Sequence, residues 1–219
     1  MSDSPPPASV LIKTHRWQSY FRTHDISSTA RIPQLRFGNA TQLSPPTKHI
    51  TALEKEKIYC ARSGPETLGS LLKAAVDQNN AIALTSTWSD AYFMKAYVLQ
   101  DLRRLNDAKA SLDQALKLSP LNSQYLAELG EIYALEKDWP KAMKAFKEAE
   151  DNANLAPDVS RSDELARARR GQGYVLVELG KLDEAEEKYQ QCIAANPNDG
   201  KTQAELDYVR EQKAKRKSR

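Results

Sequence analysis

Residues 89–122 read SDAYFMKAYVLQDLRRLNDAKASLDQALKLSPLN, and the pattern in this stretch recurs. From residue 123 the chain reads SQYLAELGEIYALEKDWPKAMKAFKEAEDNAN, and from residue 166 it reads ARARRGQGYVLVELGKLDEAEEKYQQCIAANPND. The first two starts are 34 residues apart and the third follows 43 later, nine more than the period. Self-similarity at a fixed period of this length marks a stack of supersecondary units. Each unit reads as helix, short turn, helix. Ala96, Gly130 and Gly173 share one slot in the first helix, and Ala108, Ala142 and Ala185 share one in the second. Leu112, Phe146 and Tyr189 supply a large residue, and Ala115, Ala149 and Cys192 form a third small slot. Small residues let helices approach and large ones fill the space between, which is how antiparallel helices reach interior packing density. Pro120 and Pro197 end the second helices of their units.

The period, the small–large alternation and the terminal proline together resemble the tetratricopeptide repeat family. The resemblance covers roughly residues 88–200, as three repeats at 89–122, 123–154 and 166–199. It implies an all-α solenoid of helical hairpins. Lys95 stands where the first repeat would have Leu, and Asn154 where the second would have Pro. The missing proline agrees with an insertion near 151–162, where the polar run Asp151–Asp158 is broken by Pro157. Ser160 or Ser162 is the expected cap of the helix that follows, with extra turns on that helix.

Beyond the repeats, Lys201–Arg210 places Ala204, Leu206, Tyr208 and Val209 on one packing face, as an end cap of a solenoid requires. Residues 201–219 therefore form a capping helix and basic tail, with five cations in the last seven residues. That tail reads as the end of a helix, in preference to a nuclear address or nucleic-acid tail. Before the repeats, residues 50–87 are expected to hold two helices, Ile50–Arg62 and Pro65–Gln78. Residues 1–49 form an irregular arm: seven of the eleven prolines fall at or before Pro65, and proline opposes long helices.

Composition narrows the chemistry. The 219 residues include 32 Lys and Arg against 29 Asp and Glu, a net charge of +3, which argues against a dedicated nucleic-acid partner. The charge is uneven: residues 1–60 carry eight cations against four anions, residues 122–165 five against ten. Mean hydropathy is −0.66 and no apolar run approaches the roughly 18 residues of a membrane helix. The opening Met1-Ser2-Asp3-Ser4 has no secretory pattern, which points to a cytoplasmic protein. The two cysteines exclude a disulfide scaffold, and Cys192 occupies a small-residue packing slot, where a buried thiol is expected. All three histidines precede residue 50. No metal-ligand, nucleophile or phosphate-loop motif appears, and Gly171-Gln172-Gly173 falls within a helix. The expectation is a protein with no cofactor, no metal and no catalytic residues.

The resemblance implies a concave surface lined by the first helix of each repeat. Its candidate partner-binding residues are Phe93, Tyr97 and Asp101, then Glu128, Glu131 and Leu135, then Arg167, Arg170, Tyr174 and Glu178. For Phe93 and Tyr97, packing against the N-terminal arm or a neighbouring repeat is the alternative. Chaperone-binding members of the family hold a C-terminal carboxylate with a clamp of cations and amides. The matching positions here are Phe93, Tyr97, Glu128, Arg167 and Gly171, of which only Arg167 could serve. The expected function is a non-catalytic adaptor that binds a peptide or partner helix in the groove. The alternative is a self-assembling or autoinhibited protein whose N-terminal arm fills the groove in cis or in a neighbouring subunit.

Overall fold

The computed structural model describes residues 57–77 and 81–217. The arm at 1–49, and with it the arm-filled groove, lie outside the described residues. The first described element is a strand, β1 (Lys57–Ala61), followed by helix α1 (Gly64–Val76) and strand β2 (Ala81–Thr85). The two strands pair in parallel from Lys57 opposite Ala81 to Ala61 opposite Thr85. Parallel neighbours need a crossover, and α1 provides it. Ser63 starts α1 from an extended backbone, and its hydroxyl accepts from the Glu66 amide at 3.1 Å, with Pro65 in the first turn.

The β-strand corrects the expectation of a helix over Ile50–Arg62. A short apolar run such as Ile58–Ala61 suits either state, and pairing with the uncharged AIALT of β2 decides for strand.

Six helices then form three hairpins. They are α2 (Thr87–Asp101) with α3 (Leu105–Leu118), α4 (Ser123–Leu135) with α5 (Trp139–Asn152), and α6 (Asp158–Glu178) with α7 (Leu182–Ala195). A final helix, α8 (Gly200–Lys217), packs on α7 through Leu206 and Val209. Each hairpin turns at the same slot: Arg103, Lys137 and Gly180 have φ of 62°, 61° and 75°. In each turn the following amide reaches back to the last helical turn, as in Arg104 to Leu99, Asp138 to Tyr133 and Lys181 to Leu176.

All four slots read from the sequence are buried. Ala96, Ala108, Ala115, Ala142, Ala149 and Ala185 are fully enclosed, as are Leu112, Phe146, Tyr189 and Cys192. A Cβ on Gly173 would lie 2.6 Å from the Tyr189 ring, so only hydrogen fits.

The nine extra residues become a short 3-10 turn (Ala153–Leu155) and a 21-residue α6. That helix begins after Pro157 and is capped by neither Ser160 nor Ser162, a correction to the sequence reading. Proline pre-sets the dihedral needed there, and the Ser160 hydroxyl donates to Glu164 at 2.9 Å. On α8, Ala204 is exposed and Thr202 takes the inner position instead. The basic tail partly docks: Lys213 pairs with Asp183 at 2.5 Å and Glu186 at 2.7 Å, and Arg216 donates to the Gly180 carbonyl at 3.0 Å.

The strand–helix–strand unit sits on the edge of the repeats formed by the loops between hairpins. The Ser119 hydroxyl donates to the Cys60 carbonyl at 2.6 Å and that of Ser63 to the Leu155 carbonyl at 2.5 Å. Arg62 reaches furthest, pairing with Glu66 at 2.6 Å and with Glu164 of α6 at 2.8 Å.

Candidate functional site: the face of the first helices

The first helices of the hairpins, α2, α4 and α6, carry the candidate residues. On α2 the structure encloses two of them. Phe93 and Tyr97 are 3% and 5% exposed, and Phe93 stacks on Tyr125 of α4 with ring centroids 4.9 Å apart. Phe93 therefore acts in packing between repeats, and Tyr97, buried against Phe93 on its own helix, is likewise closed, which corrects their placement as open anchors. The Tyr125 hydroxyl in turn donates to Asp90, and burial together with that bond raises its pKa. Asp101, at the end of the same helix, is exposed.

Between α4 and α6 the candidates are joined. Arg167 gives Nη2 to Glu128 at 2.6 Å and to Glu131 at 2.7 Å, and its Nε to Glu131 at 2.9 Å. Glu128 is fully buried, so the guanidinium supplies the charge its carboxylate needs away from water. Burial opposes the Arg167 cation, but Glu131 and Glu128 outweigh it and raise its pKa. The one clamp-type cation of the face is thus held by two carboxylates of the neighbouring repeat.

The last part of the face behaves differently. Arg170 pairs with Asp199 at 2.6 Å, fixing α6 to the start of α8. Asp199 also accepts from the Lys201 amide at 3.1 Å and the Thr202 hydroxyl at 2.7 Å, so it caps α8. Tyr174 is half-buried and meets Trp139 edge-on at 6.2 Å. Burial, with Glu178 and Glu205 nearby, pushes its phenol up to about 12. Glu178 is exposed, and Leu135 at the end of α4 is 38% exposed.

Sequence reasoning missed two polar nodes. One is Arg62 with Glu66 and Glu164, signalled only by the four-residue Arg–Glu spacing within 62–66. The other is Glu150, which receives Arg169 at 2.7 Å, Gln172 at 2.7 Å and Lys188 at 3.0 Å. Among the described residues no three His, Cys, Asp or Glu side chains are grouped to hold a metal, and no helix is long and apolar enough to cross a membrane. Cys60 and Cys192 are buried free thiols, and burial pushes Cys192 up to about 11.

Residues 93–157 and residues 171–199 each match a tetratricopeptide repeat family model. The chain carries tetratricopeptide repeats over these stretches. It is similar to RNA polymerase II-associated protein 3 of Rattus norvegicus, with 29% identity over 127 residues, 56% of this chain. The chain spans about a fifth of that relative, 19% of its length. Among solved structures it is similar to the N-terminal domain of stress-induced protein-1 from C. elegans, with a TM-score of 0.50 and 14% identity. That match covers 57% of this chain and 96% of that one. It is also similar to the first TPR of Spaghetti (RPAP3) bound to HSP90 peptide SRMEEVD, with a TM-score of 0.45 and 21% identity, covering 60% and 97%. These structural likenesses concern the fold.

Proposed function

We propose that this tetratricopeptide repeat chain is a non-catalytic adaptor that receives a peptide or partner helix on the face of α2, α4 and α6. Tetratricopeptide repeats stack into extended concave binding surfaces, and binding rather than turnover is their use. The observation that carries the reading is the state of the face. Arg167 and Arg170 are engaged by carboxylates of their own chain, while the exposed charged candidates, Asp101 and Glu178, are acidic. Tyr174 and Leu135 remain accessible beside them as apolar contact surface. Such a face favours a segment that alternates apolar side chains with Lys or Arg, and disfavours an acidic C-terminal tail.

The test compares two labelled peptides on the full chain, one apolar with flanking Lys and Arg, the other ending in acidic residues. The basic peptide should bind at least tenfold tighter, lose affinity with added salt, and weaken in Glu178→Lys and Tyr174→Ala while helical content is unchanged. Preference for the acidic peptide, or indifference to both substitutions, would overturn the assignment.

A further inference from the structure

Strand β2 presents an edge with no strand beside it among the described residues. The outer side of β1 is closed against the repeats, where its Cys60 carbonyl accepts from Ser119. Its burial also differs: Tyr59, Cys60 and Ala61 are buried, whereas in β2 Ala81, Ile82 and Ala83 are partly exposed and Leu84 and Thr85 are exposed. A parallel sheet of two strands with one bare edge is an incomplete object, since parallel sheets are normally covered and edges normally blunted. Here the usual blunting devices are missing. Residues 78–89, QNNAIALTSTWS, contain no charge and no proline. Apolar surface gathers around this edge. Of twelve exposed large hydrophobic residues among those described, five lie in α1, in β2 or in the first turn of α2. Leu68, Leu72 and Val76 form one stripe of α1 at 60%, 58% and 82% exposure, Leu84 next to the end of β2 is at 46%, and Trp88 follows at 48%.

We infer that this edge is an interface with a second copy of the chain, β2 pairing antiparallel with its counterpart about a two-fold axis through Ala83. The sequence AIALT is suited to self-pairing. Centred on Ala83, Ile82 lies opposite Leu84 of the other copy and Ala81 opposite Thr85, so apolar meets apolar on one face and no like charges oppose. The result is one four-stranded sheet, with both α1 helices on the same side of it and their apolar stripes flanking the joint. At roughly 100 Å² of open surface apiece, the five side chains supply more than half of the ~800 Å² per partner that a stable dimer covers, and the paired β2 backbones add to it. Two copies of one edge make a closed, isologous contact, which stops at a dimer.

The experiment uses the full chain. Sedimentation or light scattering at tens of micromolar should give twice the 24.6 kDa chain mass. Leu84→Lys, which puts a charge on the edge, should return the single mass with helical content unchanged, whereas Leu179→Lys in the last hairpin should leave the doubled mass intact. Ala83→Cys gives an independent reading. Antiparallel partners stand about 4.5–5.5 Å apart at Cα, within reach of a disulfide. Because Cys60 and Cys192 are buried, mild oxidation should link two copies through residue 83 alone. A single mass for the unaltered chain, a dimer that survives Leu84→Lys, or no cross-link from Ala83→Cys would each overturn the proposal.

Discussion

The Phe146 ring lies directly on the backbone of Gly171 in the next repeat: a Cβ there would be 2.3 Å from Cε1. Gly130, within its own repeat, approaches the same edge of that ring, and a Cβ there would be 2.8 Å from Cε1. Two hairpins are thus joined by one aromatic ring held between two absent side chains. Gly171→Ala should cost about 2 kcal/mol, because overpacking outweighs the helix propensity gained. Urea unfolding would measure it, and adding Phe146→Leu should recover part of the loss.

The hairpin turns offer the opposite experiment. Lys137 sits in the left-handed region at φ 61°, the slot that Gly180 fills in the third repeat. Lys137→Gly should raise stability by about 0.5–1 kcal/mol, and Gly180→Ala should lower it by about 1 kcal/mol. Thermal unfolding of the pair should therefore shift in opposite directions.

Arg167 can be examined by a double-mutant cycle. Arg167→Met removes the cation that Glu128, fully buried, faces at 2.6 Å, and should cost about 3 kcal/mol. Combining it with Glu128→Gln should restore much of that, since the buried charge goes too. Losses that simply add would contradict the pairing.

Glu150 predicts an acid transition. Its burial opposes ionisation, but Arg169, Gln172 and Lys188 prevail and hold its pKa at about 2, below the ordinary 4.5. A depressed carboxylate contributes stability in full above its unfolded pKa and loses it as pH falls through the folded value. Glu150→Gln should therefore cost about 2 kcal/mol at neutral pH and almost nothing near pH 2. Denaturant midpoints of both proteins across that range should converge on acidification.

The repeats were legible because each constraint on size leaves its own residue type: a slot that admits only hydrogen or methyl shows Gly or Ala three times over. β1 was not, because Ile58–Ala61 acquires its state from β2, twenty-four residues away in register. The binding face was half legible. Helical spacing placed Phe93, Tyr97, Glu128 and Arg167 on facing surfaces, but it carries no record of what folds against them. Stacking on Tyr125 and the Arg167 pairing with two glutamates depend on the separation between hairpins.

The Arg62 contact has a consequence for how the chain comes apart. In a solenoid each unit touches only its neighbours, so stability is a sum along a line and unravelling can start at either end. Arg62 bonds across 102 residues to Glu164, and Ser63 across 92 to Leu155, spanning the first two hairpins to reach the third. The line is thereby bent into a loop, and the strand–helix–strand unit cannot come away without also surrendering ties to the start of the third hairpin and the loop before it. Fraying is left to the opposite end of the described residues, where the ties of α8, Asp199 to Arg170 and Lys213 to Asp183 and Glu186, reach only the last hairpin.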